Sequence, residues 1–197
     1  ALTFTAAAPP VEQRGQRERA DDRVHTDRAC FSQWGTWSGH LTVDDTRLEI
    51  DPSTHVAQRE RSWGIEPVGE PVGGAPRLQL PQRAWIAAAA HFARTDLHTA
   101  TVEDELGRAR HADAQRVSAD EAAPEPLRDH AWAIEWQPAT RRPAAATLRA
   151  TPWNGPPFEV ALVPVAAMAL RGLGSHSPDW GHGSFKAEAA VGRERWI

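Results

Sequence analysis

One cysteine, Cys30, one methionine, no tyrosine and a single lysine, Lys186, stand in a chain of 197 residues. With one thiol an intrachain disulfide cannot form and a multi-thiolate zinc site is excluded. The single thiol is consistent with a reducing compartment, and the cytoplasm is the expected location. No apolar run approaches the roughly 20 residues of a membrane helix, because Pro164 interrupts the longest candidate, residues 160–170; no membrane span is expected. The net charge of −4 comes from acids and bases scattered along the chain. No basic stripe is left to neutralise phosphates, which argues against nucleic acid as a partner. The opening ALTFTAAAPP lacks the positive leader and apolar stretch of a signal peptide. It also lacks an initiator Met, so the chain is expected to be a fragment or a processed product.

The chain does hold nine tryptophans, and 41% of its residues are hydrophobic against 24% charged, an ordinary globular balance. Each buried indole brings a large apolar face and one donor that needs an acceptor. Period-two alternation predicts strands nearly throughout, and hence an all-β, lipocalin-like fold of antiparallel barrels or sandwiches with little helix. Leu2, Phe4 and Ala6 alternate with Thr3 and Thr5. Trp37, Gly39, Leu41 and Val43 share one strand face, and Asp44-Asp45 is a two-residue turn returning through Leu48 and Ile50. Residues 11–27 are polar and Arg-rich without apolar period, which predicts an exposed connection.

Residues 67–81 read PVGEPVGGAPRLQLP, where clustered Pro and Gly favour irregular backbone and a domain boundary. Strands are expected at 84–92, 97–105, 131–137, 144–150, 158–165 and 184–191, with turns at Leu106-Gly107 and Asn154-Gly155. Trp132 and Trp136 fall on one face of their strand. The Ala-rich stretch 113–123 is the one candidate for a short helix, stopped by Pro124 and Pro126.

The stretches QWGTWSGHLTVDD (33–45), QRERSWGIEPVGEP (58–71) and SPDWGHGSFKAEAAVGRERW (177–196), in that order, resemble bacterial lipocalin-like proteins of unassigned function related to the AttH-like and carotenoid 1,2-hydratase group. The resemblance implies two successive lipocalin-like β-domains. Residues 1–70 would be the latter part of the first, 71–81 a linker, and 82–197 the second. The family is about twice this length, so the first half-barrel would be missing and its exposed strand edges could pair between molecules, allowing an oligomer. Glu60 stands where Asp is usual before Arg61-Ser62-Trp63-Gly64.

The function that the resemblance implies is binding of an apolar isoprenoid-like or polyketide-like small molecule, with cofactor-free acid-base hydration or cyclisation as its enzymatic form. In that reading Glu60 would protonate an alkene, and His182, with Asp179 beside it in the Asp-Trp-Gly-His-Gly segment, would serve as general acid or base. The structural reading of the same residues is an Arg–carboxylate pair at a sheet corner and a tight turn with a capping imidazole. Alternation separates Glu60 and Ser62 from Arg61 and Trp63 on opposite strand faces. Trp34, Trp37, Trp63, Trp85, Trp132 and Trp180 are the candidate lining of a ligand cavity, or alternatively core, and Trp63 is expected to be buried in either case. Neither His91 with His98 nor His176 with His182 has metal-ligand spacing, and no nucleophile elbow, phosphate loop or dinucleotide motif occurs, so no metal and no cofactor are expected. A non-catalytic carrier and an interaction module without a cavity are the alternatives.

Overall fold

The computed structural model describes residues 1–20, 22–65, 83–118, 120–166 and 185–192. Among them are twelve strands and no helix, arranged as two antiparallel sheets of which one is a curled half-barrel. The expected boundary at 67–81 lies outside the described residues.

The first sheet is built on one long strand. Its strands are β1 (Leu2–Ala6), β2 (Val11–Glu12), β3 (Gln16–Ala20), β4 (Arg23–Val43), β5 (Thr46–Ile50) and β6 (Val56–Ile65). Strands β3, β2 and β1 pair in turn with successive stretches of β4 along one edge, while β6 and β5 take the other. The result is three lanes, two of them broken. Val43 pairs with Thr46 and Leu41 with Leu48 around Asp44-Asp45, and Asp44 takes a positive φ of 50°, which Asp tolerates better than most residues. The hairpin expected there is present.

Residues 11–27 are not the expected connection. They supply β2, β3 and the start of β4, and Val11 is completely buried. Arg17 stands opposite Asp27 with an ion pair at 3.6 Å, and both side chains are more than half exposed. A hairpin tip that buries little of either face carries no apolar alternation for a sequence to display.

The second sheet is a simple meander of β7 (Ala84–His91), β8 (Thr95–Glu103), β9 (Ala109–Ser118), β10 (Glu125–Trp136), β11 (Pro143–Pro152) and β12 (Phe158–Leu162). The turns at Gly107 and Gly155 form with φ of 79° and 108°, conformations that glycine adopts at little cost. Strand β9 replaces the helix expected from residue 113. Asp113, Ala114, Gln115 and Val117 are buried within or beneath the sheet, and such tertiary contact overrides the modest helix preference of alanine. The strand expected at 184–191 is absent over residues 185–192, where Phe185 and Val191 are largely exposed and have no sheet to join.

Curling begins between β9 and β10. They pair only at Glu125–Arg116 and Pro126–Gln115 before β10 continues with β11. Arg116 clasps Glu125 through both Nε, at 3.0 Å, and Nη2, so an ion pair pins the fold line. Two apolar clusters follow from this geometry. Leu97, Ala114, Leu127, Leu148 and Ala150 fill the concave side of the half-barrel, and Ala8, Val11, Trp34 and Val117 join its convex side to the first sheet. No helix of the described residues is long and apolar enough to cross a membrane.

Candidate functional site: a trough and a polar seam

Alternation along β8 sends Leu97, Thr99 and Thr101 into the half-barrel and Asp96, His98 and Ala100 towards the first sheet. The whole strand is buried apart from its ends, so both faces are covered. On the concave side, Ala84, Ile86, Ala88 and Ala90 of β7 are half-buried, whereas the residues between them are exposed. Trp132, Phe158, Val160 and Leu162 complete a wall around the buried floor. Three of these four β7 side chains are alanine, so the concave face, the trough, is lined by small groups on that side. Its apolar residues towards the rim, Ile86, Ile134 and Phe158 among them, remain partly open.

Polar groups interrupt the apolar wall at few points. Thr101 Oγ1 lies 2.8 Å from His130 Nε2, a hydrogen bond that crosses from β8 to β10. Burial holds the His130 imidazole below the usual histidine range, with Asp129 and Asp113 working against that shift. Thr99 is 0% exposed and its hydroxyl has no hydrogen-bonding partner. The indole Nε1 of Trp132 is likewise buried and unpaired. Each such group costs about 1–3 kcal/mol if left unsatisfied.

The convex side forms a seam of different character. Gln115 Nε2 donates to the Glu12 carbonyl at 2.6 Å, and Asp113 Oδ2 accepts the Arg14 backbone N–H at 3.2 Å. His98 is 5% exposed, meets the edge of Trp34 with ring centroids 6.4 Å apart, and has no partner on either ring nitrogen. Burial pushes it below the usual histidine range, against the pull of Asp113 and Glu60. Together these bonds tie backbone groups of β2 and its flanking loops to β9, which makes the seam a joint between sheets.

The residues singled out from the sequence are dispersed. Glu60 lies opposite Ser32 on the seam side of β6 and is half exposed, 3.3 Å from Arg28 Nη2. Trp63 points the other way, towards Phe31 at 6.4 Å, so acid and indole occupy opposite faces as alternation requires. It is 51% exposed rather than buried, because β6 is an outer lane and its odd-numbered residues face away from the second sheet. Trp37 shares that outer face and meets Phe4 edge-on at 5.3 Å. Trp34 sits in the seam at 2% exposure, Trp85 stands 64% exposed on the convex side of β7, and Trp132 alone of these five enters the trough. Trp136, at the end of β10, is 49% exposed, and the register slip beside it places the extra residue, Ala144, on β11. Asp179, Trp180 and His182 lie outside the described residues.

Gly64, the last residue of the Arg-Ser-Trp-Gly segment, explains part of that motif. Its φ is +124°, and a Cβ there would fall 2.0 Å from the Asp27 carbonyl oxygen of the neighbouring strand. Only glycine fits without displacing β4.

Sequence reasoning missed Thr99, Thr101 and His130. Their signal was a hydroxyl at every second position after Leu97, and a histidine two residues before Trp132 and therefore on its face. Among the described residues no three His, Cys, Asp or Glu side chains gather to hold a metal ion.

The chain belongs to a family of unknown function, DUF8625, whose model matches residues 1–197. No curated protein and no solved structure matches it.

Proposed function

We propose that this family member binds an apolar small molecule in the trough of its second sheet. The observation that carries the reading is the continuous apolar concave face, floored by Leu97, Leu127 and Leu148, walled by Trp132, Phe158 and Val160, and widened by the alanines of β7. Apolar area withdrawn from water supplies affinity of roughly 25 cal/mol per Å², so a molecule laid in the trough needs few polar contacts to be held. The resemblance to lipocalin-like proteins supports the same ligand class. Binding without chemistry, as in a carrier, is all that this geometry requires.

N-phenyl-1-naphthylamine, an uncharged apolar fluorophore, tests the proposal on the full chain. Its emission should rise saturably with the wild-type protein. Ala88→Trp, which fills the trough from its Ala-lined side, should weaken affinity at least about tenfold, since the indole occupies the area the ligand would cover. The circular dichroism spectrum and thermal midpoint should stay near those of wild type. Unchanged affinity in a folded Ala88→Trp protein would place the probe elsewhere.

A further inference from the structure

We infer that the molecule held in the trough carries a hydrogen-bond acceptor, an oxygen of ketone, ester or quinone type, rather than being a pure hydrocarbon. The inference rests on the trough reading and adds the ligand's polarity to it. Two unpaired groups on the concave face can donate, and one of them can do nothing else. Trp132 Nε1 can only donate, and it is buried without a partner. The Thr99 hydroxyl is 0% exposed and also unpaired, on the strand position cross-strand from Ala88 and Ala114. Thr101, one step further along the same face, differs in having its hydroxyl engaged by His130 at 2.8 Å. Thus the face holds the Thr101–His130 pair and two groups without a partner; its carboxylates, Glu103 and Glu125, stand at its margins beside Arg83 and Arg116, and Asp96 and Asp113 point to the seam. Buried donors without acceptors are rare because they forfeit the hydrogen bonds that water gave them in the unfolded chain. An acceptor oxygen on an otherwise apolar ligand satisfies both groups, whereas a ligand with donors alone leaves the Trp132 N–H unpaired.

Benzophenone and diphenylmethane form the test pair, alike in shape and differing by a carbonyl in place of a methylene. Both are measured by displacement of N-phenyl-1-naphthylamine from the full chain. Partitioning alone favours diphenylmethane, the more apolar of the two, so a wild-type preference for benzophenone of about 3-fold to 10-fold would report the hydrogen bond. In Thr99→Val and Trp132→Phe, each of which removes one donor, the ratio of benzophenone to diphenylmethane affinity should fall or reverse, whatever the change in the two affinities together. The indole N–H resonance of Trp132, assigned by its loss in Trp132→Phe, should shift downfield with benzophenone and stay in place with diphenylmethane. This spectrum needs no folded variant at position 99. Displacement by neither compound would overturn the trough reading itself. Displacement by both, with diphenylmethane preferred and the indole resonance unmoved by benzophenone, would overturn the acceptor inference and leave the trough standing.

Discussion

Trp34 and His98 meet edge to face across the seam, ring centroids 6.4 Å apart, one from each sheet. An imidazole with no hydrogen-bonding partner there is held neutral by its apolar neighbour and by the sheet above it, and the indole loses its solvent exposure in return. The contact couples the stability of the two sheets to the charge of one side chain.

Trp34 and Trp63 should respond unequally to truncation. Trp34→Ala empties a fully enclosed site and should cost about 3–5 kcal/mol. Trp63→Ala removes a half-exposed ring resting on Phe31 and should cost less than about 1.5 kcal/mol. Urea denaturation of both variants decides the matter, and equal costs would mean that the outer face of the first sheet is covered in solution.

Acidification should weaken the fold before carboxylates protonate. Burial lowers His98, His111 and His130, so each takes up its proton in the unfolded chain at a higher pH than in the folded one. Their stabilising effect is therefore complete above about pH 6.5 and is lost as pH falls below it, by up to about 1.4 kcal/mol per pH unit for His98 alone. Asp113 and Glu60 face His98 and oppose its shift, and Asp113 does the same at His111 and His130; Arg14 and Arg28 press His111 further down. Asp96 acts with the other sign, because burial raises it in spite of His91, and it favours folding most at the acid end. His98→Phe should flatten the denaturation midpoint between about pH 7.5 and 5. A profile as steep as wild type would remove His98 from this role.

Gly64→Ala should destabilise by about 1–3 kcal/mol, since the added methyl must displace the Asp27 carbonyl and the backbone must keep a left-handed φ. Thermal melting checks it. A neutral result would show that β6 can slip outward at its end.

Arg116→Gln should open the half-barrel rather than unfold it. The Arg116–Glu125 pair is partly exposed, which limits the loss of stability to about 1 kcal/mol. It marks the line where β9 and β10 part, so affinity for N-phenyl-1-naphthylamine should fall more than the melting temperature suggests. Equal, small losses in both would show that β8 to β12 hold their curvature without it.

Much of this architecture is local and could be read along the chain. Alternation located β7, β8, β11 and the β4–β5 hairpin, Gly107 and Gly155 marked their turns, and period two placed Glu60 and Trp63 on opposite faces. Those properties depend on neighbours in sequence. What depends on distant segments was not legible: that the polar residues 16–28 form a hairpin tip, that Trp63 stands open while Trp34 is enclosed, and that β9 is a strand despite its alanines. Which face of a strand is inside is settled by the sheet that covers it. Only the curl at Arg116 and Glu125 brings Thr99, His130 and Trp132 onto one concave face, because burial is set by contacts across the fold and not by the order of residues along it.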